Sequence, residues 1–189
     1  MLKVVLTSLG LGVGLAMDAC AVSMANGMNE PKMKLRKTLF IAFLFGFFQG
    51  AMPLIGYFLG SQFINYIGKF IPWIALIILS FLGGKMVIEG VKGDDEEDEA
   101  KELVLKVLLI QAFATSIDAL SVGFTISDYR ILEAILCASI VCFMTFAICT
   151  GAVYIGKKFG TKFGNKAILI GGLILIAIGL EIFITGIWF

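Results

Sequence analysis

The sequence predicts an all-α integral membrane protein with six transmembrane helices, arranged as two inverted-topology three-helix repeats. Three observations support this prediction: 59% of the 189 residues are hydrophobic, only 15% are charged, and the charges separate six long apolar segments. The mean hydropathy of +0.99 is far above the range of soluble domains. Because about 20 apolar residues cross the hydrocarbon core of a bilayer, the chain has room for about six spans and for little else.

The six apolar segments cover approximately residues 4–26, 38–61, 70–91, 107–127, 131–156 and 167–189. Lipid offers no hydrogen-bond partners to the backbone, so each segment is predicted to be a helix. Lys3 and the apolar run after it resemble a signal peptide. Asp18 near the end of that run, and the lack of a cleavage site after it, favour a first transmembrane helix instead.

Lysine and arginine are distributed unequally between alternate loops. One side of the membrane receives Lys3, Lys69 and Arg130. The other side receives eleven basic residues: Lys32, Lys34, Arg36, Lys37, Lys92, Lys101, Lys106, Lys157, Lys158, Lys162 and Lys166. Because basic residues concentrate in cytoplasmic loops, the 1–2, 3–4 and 5–6 loops are predicted to be cytoplasmic. Both termini of this multi-pass protein of the cell (inner) membrane are then outside.

A dense acidic run at 94–102 divides the chain into two halves. We predict a first three-helix repeat at 1–92, an acidic cytoplasmic linker at 93–102 and a second three-helix repeat at 103–189. Like charges at this density stay solvated, so a linker is the simplest interpretation. The alternative is a region that attracts cations to the cytoplasmic side.

The two halves resemble each other around an aspartate. Residues 17–23 parallel residues 117–123 at an offset of 100. An offset of 96 matches glycines of the two halves, Gly60 with Gly156 and Gly90 with Gly186. Since each half has an odd number of helices, the second half enters the membrane from the opposite side. Inverted repeats of this kind are typical of secondary transporters, whose binding site lies at the repeat interface.

The repeated residues Asp18 and Asp118 lie deep in their predicted spans. A carboxylate at the centre of a membrane helix costs roughly 2.5–3.5 kcal/mol on insertion scales. Lys85 is the one basic residue inside a predicted span, and its side chain can extend towards the cytoplasmic surface. No simple ion pair therefore neutralises both aspartates, whereas a bound cation or protons would.

Polar residues around the two aspartates complete a candidate metal site. The predicted ligands are Asp18, Asp118, Gln49, Asn26, Ser23, Ser116, Ser121 and Glu181. Oxygen ligands suit hard or borderline ions such as Mn²⁺ and Mg²⁺, and the chain has no histidine. Two alternatives stay open: an interhelical hydrogen bond for Gln49 and an outward-extending side chain for Glu181. Gly10, Gly14 and Asp18 share one face of helix 1, and these small residues are expected to let another helix approach closely.

Four motifs in order carry a resemblance over essentially the whole chain: residues 17–27 (Met-Asp-Ala…Ser…Gly), 45–56 (Phe-Gly…Gln…Met-Pro-Leu-Ile-Gly), 81–90 (Phe-Leu-Gly-Gly-Lys-Met-Val-Ile-Glu-Gly) and 114–123 (Ala-Thr-Ser-Ile-Asp-Ala…Val-Gly). By these motifs the chain resembles the MntP family of manganese efflux pumps. The resemblance implies that Asp18 and Asp118 are essential intramembrane acids and that Gly27 is a required position. One departure is Gln49, which stands where some members have a glutamate.

Together, the residues and the resemblance predict a manganese (Mn²⁺) efflux transporter of the cell membrane that is not an enzyme. No cofactor is expected, and Mn²⁺ is the transported substrate. Protons are the expected coupling ions, because two carboxylates close together in a low dielectric cannot both stay ionised without a cation. The alternatives are export of another divalent cation or of a small organic solute such as an amino acid. The lipid bilayer is the other expected partner, the net charge of +1 argues against nucleic acid, and the oligomeric state is not indicated.

Overall fold

The computed structural model describes residues 2–59, 71–92, 105–126, 129–163 and 165–188. Within these residues the chain is helical and has no strand, which confirms the predicted all-α class. The helices are α1 (Leu2–Asn29), α2 (Leu35–Leu59), α3 (Ile71–Lys92), α4 (Leu105–Thr115), α5 (Ile117–Thr125), α6 (Ile131–Phe163) and α7 (Asn165–Trp188). The acidic run at 94–102, Gly60 and Lys69 lie outside the described residues.

Four helical stretches of the described chain are long and apolar enough to cross a membrane: Leu2–Asn29, Leu35–Leu59, Leu105–Gly123 and Ile131–Phe163. A shorter apolar helical stretch, Leu79–Ile88, lies within α3. The chain is therefore a multi-pass membrane protein. Because the spans are apolar on all sides, packing between the helices is decided by residue size more than by an apolar stripe.

The helices pack in pairs that cross between the two halves of the chain. The most extensive contacts join α1 to α6, α3 to α7, and α2 to both α6 and α5. Glycines permit the closest of these approaches. A Cβ atom added at Gly27 would overlap the Val153 carbonyl oxygen, and one added at Gly56 would overlap the Leu120 carbonyl oxygen. Backbones that meet this closely gain van der Waals contact that larger residues would prevent.

The expectation that Gly10 and Gly14 let another helix approach is wrong. A Cβ atom at either position would have no heavy atom of the described residues within 4 Å. The neighbouring Gly12 instead faces α6, where its added Cβ would lie 3.3 Å from Met144 Cβ. Helix α1 thus turns its Gly12 side, and not the side with Gly10 and Gly14, towards α6.

The fourth and fifth predicted segments also differ from the structure. The fourth is divided at Ser116 into α4 and α5, and the fifth continues to Phe163 instead of ending near residue 156. Lys157, Lys158 and Lys162 therefore lie on the last turns of α6 and not in a loop. Lys162 lies in the last turn, where a basic residue interacts favourably with the helix dipole.

Candidate metal site

Two carboxylates lie inside the spans, within electrostatic range of each other. Asp18 is at the middle of α1 and is partly buried, whereas Asp118 is in the first turn of α5 and is exposed. The negative charge of Asp18 acts on the Asp118 carboxyl. In the described part of the chain, neither carboxylate forms a salt bridge with a basic residue. The two aspartates that the repeat paired thus lie within the range of electrostatic interaction.

Asp118 lies next to the break between α4 and α5. Ser116 occupies the junction, where its backbone N–H donates to Phe113 O at 3.2 Å and its Oγ donates to the same oxygen at 2.9 Å. The Asp118 Oδ1 accepts a 2.8 Å hydrogen bond from the Ala119 N–H. The N-terminus of a helix carries a partial positive charge, so α5 stabilises a carboxylate at this position.

Glu181 on α7 adds a third negative charge to the neighbourhood. Its side chain is exposed, and its charge acts on Asp18. No group of three or more Asp, Glu, Cys or His side chains in the described chain is close enough together to hold one metal ion. The carboxylates therefore do not form a compact three-acid cage, and the remaining ligands of a cation at the two aspartates would be neutral oxygens.

Gln49 of α2 connects α1, which carries Asp18, with the last residue of α4, just before the helix that carries Asp118. It is completely buried, and its Nε2 donates to Leu15 O at 2.9 Å and to Thr115 O at 2.9 Å. Leu15 precedes Asp18 by three residues, and Thr115 precedes Asp118 by three residues. The Gln49 Oε1 is buried with no hydrogen-bond partner among the described residues. Because both neighbours of Nε2 are carbonyl oxygens, the amide orientation is fixed and Oε1 is the acceptor left over.

Pro53 lies within α2, four residues after Gln49. Proline has no N–H, so it cannot make the helical hydrogen bond to the Gln49 carbonyl. The α2 backbone is therefore less constrained at the level of the site.

A second buried amide cluster lies further along α1. Asn26 Nδ2 donates to Gln111 Oε1 at 2.8 Å, and Gln111 Nε2 donates back to Asn26 Oδ1 at 3.2 Å. The two side chains are 1% and 0% exposed. In this conformation the Asn26 amide thus binds Gln111 and not an aspartate.

The three predicted serine ligands differ in their surroundings. Ser23 is buried in α1 near Cys149, and its Oγ has no hydrogen-bond partner among the described residues. Ser116 directs its hydroxyl to Phe113 O, as described above, and Ser121 is exposed on α5, three residues after Asp118. Of the three, Ser121 is therefore the one on the same open side as Asp118.

Sequence reasoning missed two features of this site. The break at Ser116 has a signal in the sequence, since Thr115 and Ser116 are residue types that end and cap helices just before the acidic Asp118. The Asn26–Gln111 pair has no such signal, because two amides in different spans do not indicate that they face each other.

These features define a multi-pass helical membrane protein that carries carboxylates inside its spans, as ion transporters do. Residues 32–183 match the model of a family described as "Putative manganese efflux pump". A protein with that description from Ruminiclostridium cellulolyticum is 43% identical, over 95% of this chain and 95% of its own length. One from Campylobacter hominis is also 43% identical, over 93% of this chain and 94% of its own length. A Clostridium perfringens relative is 43% identical, over 98% of this chain and 96% of its own length. No solved structure matches. The chain belongs to the MntP family, which confirms the resemblance in the motifs.

Proposed function

We propose that this protein exports Mn²⁺ across the cell membrane through a site formed by Asp18 and Asp118. The substrate is taken from the description of the relatives, "Putative manganese efflux pump". One observation carries the site: Gln49 binds the carbonyl oxygens three residues before each aspartate and keeps a buried, unpartnered Oε1. Two carboxylates and an amide oxygen are a ligand set that suits Mn²⁺.

The remaining ligands in this proposal come from residues near the aspartates. Ser121 is on the open side of α5, and Ser23 and Ser116 supply hydroxyls at the level of the two aspartates. Glu181 attracts the cation and binds it on the way out, because its charge acts on Asp18. Asn26 joins the ligand set only when its pairing with Gln111 is broken.

The proposed architecture is two inverted repeats of three helices. Its support is that Leu15 and Thr115, the two residues bound by Gln49, are separated by the same offset of 100 as the aspartates. In this arrangement α1 corresponds to α5, and α2 corresponds to α6. The contact between α1 and α6 then corresponds to the contact between α5 and α2, and both contacts depend on closely approaching glycines. In this arrangement Gln49 lies near the pseudo-twofold axis.

The proposed orientation has both termini outside and the 94–102 run in the cytoplasm, on the strength of the eleven-to-three ratio of basic residues. A protein with Asp98→Cys as its one cysteine tests this orientation. An impermeant maleimide should label it in everted vesicles and not in intact cells. Labelling of intact cells would overturn the orientation.

In this orientation we propose a path for Mn²⁺ along α1. One face of α1 carries Gly10, Gly14, Asp18 and Asn26 at helical spacing. No described residue lies within 4 Å of a Cβ atom added at either glycine, and Asn26 at the cytoplasmic end is buried against Gln111. The Asn26–Gln111 pair then closes the cytoplasmic side beneath the two aspartates. Mn²⁺ enters when this pair separates and leaves along the glycine face.

Transport by purified protein in liposomes tests the proposed site. Asp18→Asn and Asp118→Asn should each insert and fold but abolish Mn²⁺ flux, because the amide cannot balance the charge of a bound divalent cation. Removing a charge that lies inside a span and forms no salt bridge with a described basic residue should leave stability equal or higher. Glu133→Gln is the matched control, since Glu133 is an acid at the start of α6, away from the site, where it accepts from the Arg130 N–H. Near wild-type flux in either aspartate variant would overturn the proposal.

A further inference from the structure

A cavity of about 720 Å³ lies at the start of α2, remote from the two aspartates. Four basic side chains line its polar part: Lys32, Lys34, Arg36 and Lys37. The one carboxylate among the described lining residues is Glu30, and it forms a 2.7 Å salt bridge with Lys37. The lining thus keeps a clear excess of positive charge.

The position of these charges on α2 is electrostatically unfavourable in the absence of an anion. Helix α2 begins at Leu35, and its first turn contains no acidic residue. Arg36 and Lys37 lie in that turn, and Lys34 precedes it. The N-terminus of a helix carries a partial positive charge, so cations there are repelled and anions are attracted. An anionic group bound among these side chains would remove the repulsion and accept hydrogen bonds from them.

The other part of the cavity is apolar and aromatic. Phe40 and Phe43 of α2 line it together with Phe146 of α6. Phe43 is 56% exposed, so its ring is available to a ligand. Arg36, Phe40 and Phe43 follow one face of α2 at helical spacing and descend about 10 Å into the membrane, at 1.5 Å per residue. The cavity therefore changes from cationic to apolar in the direction in which a lipid changes from headgroup to acyl chain.

We propose that this cavity binds an anionic phospholipid, with the phosphate among Lys32, Lys34 and Arg36 and an acyl chain along Phe40, Phe43 and Phe146. Basic pockets beside transmembrane helices are typical binding sites for anionic headgroups. A free phosphate would use the basic residues alone and would leave the apolar wall uncovered. The inference does not depend on the proposed transport of Mn²⁺.

The bound lipid would also stabilise the segment between α1 and α2. Glu30 and Lys37 join the two ends of this segment, and Lys157 Nζ of α6 donates to Met33 O within it. A lipid that contacts α2 and α6 together would reinforce the same connection. We therefore expect lipid binding to raise the thermal stability of the whole protein.

Native mass spectrometry and thermal unfolding in detergent test the proposal. Phosphatidylglycerol should bind and raise the unfolding temperature of the wild-type protein, whereas phosphatidylcholine with the same chains should do neither. The combined variant Lys32→Gln, Lys34→Gln and Arg36→Gln should weaken phosphatidylglycerol binding by about tenfold or more. A matched control is Lys158→Gln, Lys162→Gln and Lys166→Gln, which removes the same charge outside the cavity and should keep the binding.

Two outcomes would overturn the proposal. Equal losses in the test and control variants would indicate attraction to the overall surface charge and not a site. Stabilisation by inorganic phosphate equal to that by phosphatidylglycerol would indicate a free-anion site without a role for the acyl chains. If the combined variant does not fold, Arg36→Gln and Phe43→Ala are compared singly, and unchanged lipid binding in both would reject the site.

Discussion

Asn26 of α1 and Gln111 of α4 form a reciprocal pair of hydrogen bonds in which each amide donates to the other, at 2.8 and 3.2 Å. Both side chains are buried, and they belong to different halves of the chain. A buried amide that loses its partner is costly, so the pair holds α1 and α4 together strongly as long as both members are present.

The repeat offset relates this polar pair to two apolar residues. At an offset of 100, Asn26 corresponds to Ile126 and Gln111 corresponds to Leu11. Ile126 is buried in an apolar cluster, and Leu11 packs against that cluster. Equivalent positions of the two halves therefore carry a buried polar pair in one case and apolar residues in the other.

Asn26→Ala should open the cytoplasmic side of the protein. The variant leaves Gln111 unpaired in a buried place, at a cost of about 1–3 kcal/mol that opening would relieve. Cys149 is buried beside Ser23 and reports on this opening. With Cys149 as the one cysteine, a cytoplasmic thiol reagent should modify Asn26→Ala faster than the parent protein.

Ser139→Ala is the control for this experiment, because Ser139 is exposed and donates only within its own helix, to Ile135 O. It should leave the labelling rate unchanged. If Cys149 reacts at the parent rate in Asn26→Ala while Mn²⁺ transport is lost, the pair does not close the cytoplasmic side.

Gln49→Glu should make transport depend on pH in a new way. The ionised carboxylate introduced at position 49 would accept only, and it would face the Leu15 and Thr115 carbonyl oxygens that now accept from Nε2 at 2.9 Å. A protonated carboxyl would restore one of the two hydrogen bonds. The variant should therefore be most active at acidic pH and lose activity relative to wild type as the pH rises, by about fivefold or more.

Gln49→Leu is the matched comparison, because it removes both hydrogen bonds without adding a titratable group. Its rate of Mn²⁺ transport in liposomes should be lower than that of the wild-type protein but should depend on pH in the same way. Identical pH profiles for Gln49→Glu and Gln49→Leu would show that the two carbonyl contacts do not control the site.

Gly27→Ala and Gly156→Ala should each destabilise the protein and reduce transport. A methyl group at Gly27 would overlap Val153 O, and one at Gly156 would overlap Met24 O, so α1 and α6 would have to separate. Overpacking of this kind costs roughly 1–3 kcal/mol. Gly14→Ala is the control on the same helix, where no described residue lies within 4 Å of the added atom. Thermal unfolding in detergent that ranks all three variants as equal would contradict the packing described here.

The aspartates and glycines show what a sequence can predict about such a protein. The repeated motif pairs Asp18 with Asp118 at an offset of 100, and the two charges lie within interaction range of each other. The roles of Gly10, Gly12 and Gly14 cannot be predicted from the sequence. Nothing in the sequence distinguishes the glycine that contacts α6 from the two that do not. The break at Ser116 has a local signal in Thr115 and Ser116, but the hydrogen bond from Gln49 to Thr115 O beside it depends on the packing of α2.

The last prediction is that Mn²⁺ export is coupled to proton entry. In the proposed cycle a cation balances the two carboxylates during export, and protons balance them during the return, because adjacent unpaired charges in a low dielectric repel each other strongly. Purified protein in sealed liposomes that contain a pH dye should therefore move protons opposite to Mn²⁺ when the membrane potential is clamped. Asp118→Asn should abolish both movements together. Mn²⁺ flux without proton counter-movement at several pH values would reject antiport and indicate a uniporter driven by the Mn²⁺ gradient and the membrane potential.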